Sequence, residues 1–388
     1  VTGTTAINAA GQTVLLDRVA NDFTGRVTVD AGDVTLRDAS DLSLAGSITG
    51  NLISTSQALL LGPTTVSGTA VLNADRAVTQ DGDVRVTGTT AINAAGQTVL
   101  LDRAANDFTG RVTVDAGDVT LRDASDLSLT GSVTGNLVTT SQALLLGLTT
   151  VGGTADLNAG GAVTQDGDVL VSGTTRITAA GQIVLLDRAA NDFTGRVTVD
   201  AGDVTLRDAS DLSLEGAVTS NLVTTSQALL LGATTVGGTA VLNAGGAVTQ
   251  DGDVQVDGTT AINAFAQNVT LNRSGNDFKD IVTVTAGDVS LADLNSLNLV
   301  TTLTGRLTTA VGGSLIVGAT DIDGDVEINV SGPVTQSGEM TVRGALTLNA
   351  AGQTVTLAAA NNDFIGRVTI VAQDVILRDA NALDLAGT

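Results

Sequence analysis

Apolar and polar residues alternate in short runs along the whole chain. Clear examples are RVTV at 26–29, DVTL at 33–36 and DLSL at 41–44, and Gly, Asn, Asp or Ser stands at the ends of such runs. A period of two residues is typical of strands that bury one face, and the bounding residues are typical of turns. No stretch has the length and the 3.6-residue period of an amphipathic helix. The pattern predicts many short strands joined by tight turns.

The alternating runs belong to a long internal repeat, because segment 100–129 recurs letter for letter at 185–214. Five phenylalanines mark the period, at intervals of 85, 85, 85 and 86 residues: Phe23, Phe108, Phe193, Phe278 and Phe364. We divide the chain into copy one (1–85), copy two (86–170), copy three (171–255), copy four (256–341) and a partial copy five (342–388). Since both ends cut through a copy, we expect a single continuous solenoid that is a fragment of a longer protein.

Weaker similarity inside each copy indicates the length of one turn. AGQTV at 10–14 resembles AGDV at 31–34, and TAINAAGQTV at 5–14 resembles TAVLNADRAV at 69–78. Both offsets fit a turn of about 21 residues, and stacked turns of two or three short strands are typical of solenoids. Because parallel crossovers are right-handed, we predict an all-β fold, a right-handed parallel β-helix (β-solenoid) of about 18 coils of about 21 residues.

The composition excludes several kinds of chemistry. The chain has 46 Gly, no His, Cys, Tyr or Trp, and a formal net charge of −23. Without His or Cys there is no imidazole base, no cysteine nucleophile and no thiolate or imidazole metal ligand, so we expect no catalytic residues. The negative charge repels phosphate backbones, so we expect no nucleic acid partner. Because no apolar run reaches the length of a membrane span, we expect no membrane insertion of this segment.

One dense group of oxygen ligands is a candidate metal site. Asp321, Asp323 and Asp325 alternate in TDIDGDVE beside Gly324. Hard oxygen ligands gathered around a turn are typical of calcium loops, so these three residues are the candidate calcium ligands, and calcium is the one cofactor that we consider. Alternate residues of a strand also point the same way without any ion, so a solvated acidic face is the alternative.

Two short motifs recur at turns. In NDF, which first occurs at 21–23, we expect Asn and Asp to cap a turn while Phe closes the core, and a ligand-binding corner with an exposed Phe is the alternative. In DGD, which first occurs at 81–83, we expect a tight turn in which Gly supplies a positive φ. AGD at 31–33 becomes Ala-Gln-Asp at 372–374, so its glycine position does not require left-handed geometry.

Seven apolar residues fall on the outward parity of their strands. We infer a lateral apolar stripe that packs one rod against another, and the alternative is a strand that is apolar on both faces beneath a loop. The seven residues are Leu15, Leu60, Leu100, Leu145, Leu185, Leu230 and Ile316.

The copies resemble a known type of repeat. The segments GGAVTQDGDVLVSGTT (160–175), ITAAGQIVLLDRAANDFTGRVTV (177–199) and AGDVTLRDASDLSL (201–214) look like the β-strand repeats of filamentous-haemagglutinin-like exoproteins and large autotransporter adhesins of Gram-negative bacteria. The resemblance covers essentially the whole chain. It implies a long right-handed parallel β-helix on the outer cell surface, which attaches cells to surfaces, hosts or each other, or builds extracellular filaments. It implies no functional residues, because the matched motifs are structural.

We therefore expect a non-catalytic, extracellular stalk or fibre of a bacterial surface adhesin. Its expected partners are identical rods, packed laterally or end to end, and glycans or proteins of a host or neighbouring cell. A polysaccharide-cleaving β-helix enzyme is the alternative, and it requires a cleft with clustered carboxylates in one copy. An ice- or crystal-binding solenoid is a further alternative, and it requires ranked Thr-x-Thr rows on a flat sheet.

Overall fold

The computed structural model describes residues 1–387, and within that range it consists of strands and turns without a helix. No helix able to span a membrane is therefore found in the described part of the chain. Strands of successive turns pair in parallel, as in the pairing of Thr5 with Val27 and of Val27 with Leu44. The predicted all-β parallel β-solenoid is confirmed. Its right-handed winding stays a prediction from the crossover rule.

The chain divides into two compact units, Val1–Gly195 and a second unit that begins at Arg196. The predicted single continuous solenoid stays a prediction. The strands of the first unit are β1 Thr5–Ala9, β2 Val14–Leu16, β3 Val27–Ala31, β4 Val34–Arg37, β5 Leu42–Ile48, β6 Leu52–Ser56, β7 Leu59–Val66, β8 Ala70–Ala74, β9 Val78–Gln80, β10 Val84–Val86, β11 Thr90–Ala94, β12 Val99–Leu101, β13 Asp107–Phe108, β14 Val112–Ala116, β15 Val119–Arg122, β16 Leu127–Val133, β17 Leu137–Ser141, β18 Leu144–Val151, β19 Ala155–Ala159, β20 Val163–Gln165, β21 Val169–Val171, β22 Thr175–Ala179, β23 Val184–Leu186 and β24 Asp192–Phe193.

The second unit repeats the same order of strands. They are β25 Val197–Ala201, β26 Val204–Arg207, β27 Leu212–Val218, β28 Leu222–Ser226, β29 Leu229–Val236, β30 Ala240–Ala244, β31 Val248–Gln250, β32 Val254–Val256, β33 Thr260–Ala264, β34 Val269–Leu271, β35 Asp277–Phe278, β36 Ile281–Ala286, β37 Val289–Asp293, β38 Leu297–Leu303, β39 Leu307–Val311, β40 Leu315–Ile322, β41 Val326–Val330, β42 Val334–Gln336, β43 Met340–Val342, β44 Leu346–Leu357, β45 Asp363–Phe364, β46 Val368–Leu377 and β47 Leu385–Gly387.

The turns are of two kinds, narrow and wide. A narrow turn has two strands, β3 and β4, and ends where Val27 pairs with Leu44, 17 residues on. A wide turn has three strands, β11, β12 and β13, and ends where Thr90 pairs with Val112, 22 residues on. The chain therefore makes about 20 turns of about 19 residues, against the predicted about 18 coils of about 21 residues. The similarity inside each copy relates positions of wide turns, so it overestimates the mean.

A glycine bulge widens the turn from two strands to three. Leu44 pairs with Leu61, but Gly46 pairs with Thr64, so the register shifts by one residue between them. The next strand, β7, then divides, because its first half pairs with β9 and its second half with β10. Gly46 has φ +138°, and a Cβ there would lie 1.9 Å from the Val29 carbonyl oxygen. With this backbone conformation Gly46 has no room for a side chain, whereas copy four forms the same register shift with Thr301 in place of the glycine.

The turn narrows again at the Asp-Phe pair. The two-residue strand β13 pairs with β10, so that Val86 lies beside Phe108, and the next turn continues with β14 and β15. Phe108 is fully buried. The bulky ring occupies the interior where the third strand ends, which confirms the predicted role of this phenylalanine in closing the core.

One copy does not correspond to a whole number of turns. In the first unit Val14 begins a column of paired residues that continues through Val34, Leu52 and Ala70 to Thr90, four turns later. The counterpart of Val14 in copy two is Val99, which lies one strand beyond Thr90 and pairs with Val78 in another column. Each copy therefore advances by four turns and one strand. As a result, copies one and two present the same outward residues on different faces of this unit.

The core contains individual buried threonines, which the alternation of apolar and polar residues does not reveal. Inward positions are mainly Val, Leu and Ile, but Thr139 is fully buried between Leu121 and Leu157 of the adjacent turns. Its hydroxyl has no hydrogen-bond partner. Thr149 is also buried, but its Oγ1 donates to the Gly147 carbonyl oxygen over 3.0 Å. The two threonines differ in whether the buried hydroxyl is satisfied.

Replacing Thr139 with valine is expected to stabilise the protein. Thr139→Val removes an unpaired buried hydroxyl at nearly constant shape, so the free energy of unfolding should rise by about 1–2 kcal/mol. Thr149→Val is the matched control and should lower it by about 1 kcal/mol, because it removes a made hydrogen bond. Urea unfolding followed by circular dichroism measures both. Equal destabilisation by the two substitutions would contradict the assignment.

Candidate functional site

The NDF asparagine is part of a buried amide pair. Asn106 is fully buried, and its Nδ2 donates to Gln80 Oε1 at 2.8 Å and to the Leu101 carbonyl oxygen at 3.1 Å. Its Oδ1 accepts from Gln80 Nε2 at 2.8 Å and from the Val84 backbone N–H at 2.9 Å. The side chain thus satisfies a strand amide at the edge where β13 begins. The pairing recurs in later copies: Gln165 with Asn191, Gln250 with Asn276, and Gln336 with Asn362.

An aspartate beside this amide pair fixes the start of the phenylalanine strand. Asp123 is almost completely buried, and its carboxylate accepts from the Phe108 N–H at 3.1 Å and from the Ser125 N–H at 2.9 Å. Burial raises the pKa of Asp123 above its ordinary value, although these hydrogen bonds oppose the shift. Asp293 occupies the same place in copy four, and burial raises its pKa as well. Both carboxylates accept hydrogen bonds from backbone N–H groups.

The DGD turns hold two ion pairs on the surface of the first unit. Asp81 pairs with Arg26, and Asp83 pairs with Arg103 at 2.7 Å. The predicted positive φ at Gly82 is wrong, because the positive-φ glycines of the described chain are elsewhere, Gly46 among them. Gly82 is needed for space, since a Cβ there would lie 2.1 Å from the backbone nitrogen of Pro63 in the adjacent turn.

In the ion pair between Arg26 and Asp81, and in its equivalents in later copies, the arginine side chain passes over a glycine. The guanidinium of Arg26 also donates to Ser43 Oγ at 3.0 Å, and a Cβ on Gly62 would lie 3.0 Å from Arg26 Nη1. The arginine therefore lies along the stacking direction and joins turns that are far apart in sequence. The equivalent pairs are Arg111 with Asp166 and Arg196 with Asp251. The hydrogen bond from Arg111 lowers the pKa of Asp166.

Copy four lacks both partners of this ion pair. Ile281 replaces the arginine and Ser337 replaces the aspartate, so both partners are lost together. Because the pairs are partly exposed, each contributes about 0–1 kcal/mol to stability.

The three candidate calcium ligands lie on the surface of copy four. Asp321 is an outward residue of β40, and its Oδ1 lies 2.5 Å from Arg343 Nη1, which also lies 3.0 Å from Asp323 Oδ1. Asp325 accepts instead from the Ala345 backbone N–H at 2.9 Å. Within residues 1–387 no group of three such ligands is arranged to hold a metal ion. Arg343 supplies the positive charge between the first two carboxylates, and calcium binding stays a prediction.

The seven outward apolar residues do not lie in a single column. In the first unit Leu60 pairs with Thr79, and the pairing of Val78 with Val99 puts Leu100 on the turn after Thr79. Thr79 therefore separates the two leucines of this column. Leu15 belongs to another column and pairs with Thr35. The column geometry does not join these residues into one stripe, and lateral packing stays a prediction.

A groove that the sequence did not indicate lies mainly on copy four and continues onto the start of copy five, and we call it the groove of copy four. Asn272, Ala292, Ala310, Asn329 and Asn349 lie along its length, and its volume is about 460 Å³. A second hollow of about 560 Å³ adjoins it and shares two lining residues, Ser274 and Leu294. The only available signal was the replacement of long side chains by Ala and Gly at these positions of copy four.

The buried amide pair is expected to be important for stability. Asn106→Asp keeps the shape but replaces two donors with acceptors that face oxygen atoms, so the free energy of unfolding should fall by about 2–3 kcal/mol. Gln12→Glu, the same change from amide to carboxylate in an exposed turn, is the control and should change it by less than about 0.5 kcal/mol. Urea unfolding measures both. A loss at position 12 as large as that at 106 would refute the role of the pair.

The raised pKa of Asp123 predicts a pH dependence of stability. The folded state holds this proton more tightly than the unfolded state, so the free energy of unfolding falls as pH rises through the raised pKa. Asp123→Asn removes that contribution. The stability of the variant relative to the wild type should therefore improve from pH 4 towards pH 7, as measured by urea unfolding. If the difference in the free energy of unfolding between variant and wild type stays constant from pH 4 to pH 7, titration of the buried Asp123 carboxylate does not contribute to the pH dependence of stability.

Comparisons with known proteins concern the repeat itself. Neither a search of curated proteins nor a search of solved structures returns a match. A family model described as repeats of unknown function matches residues 1–30, 49–115, 134–200, 219–285 and 304–371. The matches recur with the period of the copies, and each gap, such as 31–48, has about the length of one narrow turn. Because the matched segments make up most of the sequence, the chain belongs to the family of repeats of unknown function DUF5649.

Proposed function

We propose that this chain is a non-catalytic, extracellular stalk or fibre segment of a bacterial surface adhesin. The observation that carries the proposal is the stacking of near-identical copies, each of which advances by four turns and one strand within the first unit. A unit that is multiplied in this way adds length and repeated contacts, whereas a catalytic site is needed only once.

The surface of each copy supports a mechanical role. Ion pairs such as Arg111 with Asp166 join distant turns, and buried amide pairs such as Gln165 with Asn191 fasten the strand ends. The side chains of the repeated motifs are used within the solenoid itself. The net charge of −23 favours solubility and repulsion between neighbouring molecules.

The location and partners follow from the same proposal. The resemblance to large exported adhesins supports an outer-surface location and attachment to cells, surfaces or identical molecules. The absence of Cys from the sequence suits a chain that is exported unfolded and does not depend on disulfides.

The length of the molecule is expected to follow the number of copies. Removing residues 86–170 deletes one complete copy and leaves the order of strands unchanged. At about 4.8 Å per turn, the longest dimension should shrink by about 20 Å, which small-angle scattering and electron microscopy measure.

A deletion out of phase is the matched control. Removing residues 86–160 joins unlike strands and breaks the register of the following turns, so the thermal unfolding midpoint should fall sharply. The stalk proposal fails if removing the complete copy leaves the longest dimension unchanged.

A further inference from the structure

The groove of copy four follows the stacking direction of the second unit. Ala292 pairs with Ala310, Ala310 with Asn329, and Asn329 with Asn349, so its floor crosses four successive turns. At about 4.8 Å per turn, this row is about 14 Å long. An elongated hollow of this kind suits an extended chain better than a compact ligand.

The groove exists because copy four lacks long side chains at this place. Copies one to three have Arg37, Arg122 and Arg207 where copy four has Ala292, and they have a single glutamine where copy four has the two glycines Gly312 and Gly313. In copy one, Gln57 lies across this surface and donates to the Ala39 carbonyl oxygen at 3.0 Å. Removal of these side chains leaves the surface open.

The charged groups at the groove already have partners within the protein, either an oppositely charged side chain or backbone N–H groups. Arg273 pairs with Asp253 at 2.7 Å at one end. Asp293 is buried, and its carboxylate accepts from the backbone N–H groups of Phe278 at 2.9 Å and Asn295 at 2.7 Å. The groove therefore offers no strong attraction to a polyanion or a polycation.

The remaining lining combines amides and hydroxyls with small apolar groups. The side-chain amides of Asn272, Asn329 and Asn349 each have a donor group and an acceptor atom. Leu294 is 55% exposed at the rim. Asn329 Nδ2 donates to Glu327 Oε1 at 3.2 Å, which orients this amide. Groups that donate and accept at once match sugar hydroxyls, and an exposed aliphatic side chain can pack against the C–H face of a sugar ring.

We propose that this groove binds a neutral polysaccharide that lies along the stacking direction. One hexopyranose unit is about as long as the spacing between turns, so successive sugars can meet equivalent positions on successive turns. An extended peptide rises by about 3.3 Å per residue and loses this match. The inference deepens the proposed adhesin function and rests on it, because it names the class of surface to which copy four attaches.

The test uses the whole chain and affinity electrophoresis in gels that contain a soluble neutral β-linked glucan, with dextran sulfate as the anionic comparison. The wild type should be retarded by the glucan and not by dextran sulfate. Ala292→Arg restores the side chain of the other copies and should weaken binding at least tenfold. Asn349→Ala removes one amide without filling the groove and should weaken binding several-fold.

Ala261→Arg is the matched control, because it adds the same side chain to the same unit at a position where copy three has Arg176. Its binding should equal that of the wild type. The proposal is overturned if no variant differs from the wild type, if the control loses binding equally, or if the neutral glucan retards none of them. This readout is independent of molecular length, so the stalk proposal and the groove proposal can fail separately.

Discussion

The register of the parallel hydrogen bonds is the constraint on which the rest of this structure depends. Every strand of a turn must pair with strands of the turns on either side, so a residue can change only if the residues that pair with it still fit. The alternation of narrow and wide turns makes this pairing harder to keep, because a third strand must begin and end inside each copy and its ends lack regular partners. The two places where it does so contain the most specific chemistry in the repeat.

The third strand begins at a bulge and ends at a cap. At Gly46 the register shifts by one residue, and the close approach to the Val29 carbonyl oxygen excludes any side chain. At Asn106 the side-chain amide replaces backbone partners for Val84 and Leu101, while Phe108 occupies the interior. An unsatisfied amide at this buried edge would cost about 1–3 kcal/mol, which explains why the Gln and Asn recur together.

The non-integral advance of each copy affects how the surface can work. Because equivalent residues of copies one and two fall in different columns, a repeated feature does not accumulate along one face of the first unit. A site that requires several turns in line must instead be built from unlike positions of the repeat. The groove of copy four has this character, since its amides and alanines come from different positions of the repeat.

The sequence by itself determined the fold class, the period and the inward and outward parity, because these depend on local alternation and on identity between copies. It also identified NDF as a recurring motif. Only the tertiary structure showed that Gln80 and Asn106 meet, that Gly82 provides space rather than a positive φ, and that the turns average about 19 residues. Each of these depends on which residue lies in the adjacent turn, and alternation within one strand carries no information about its neighbour.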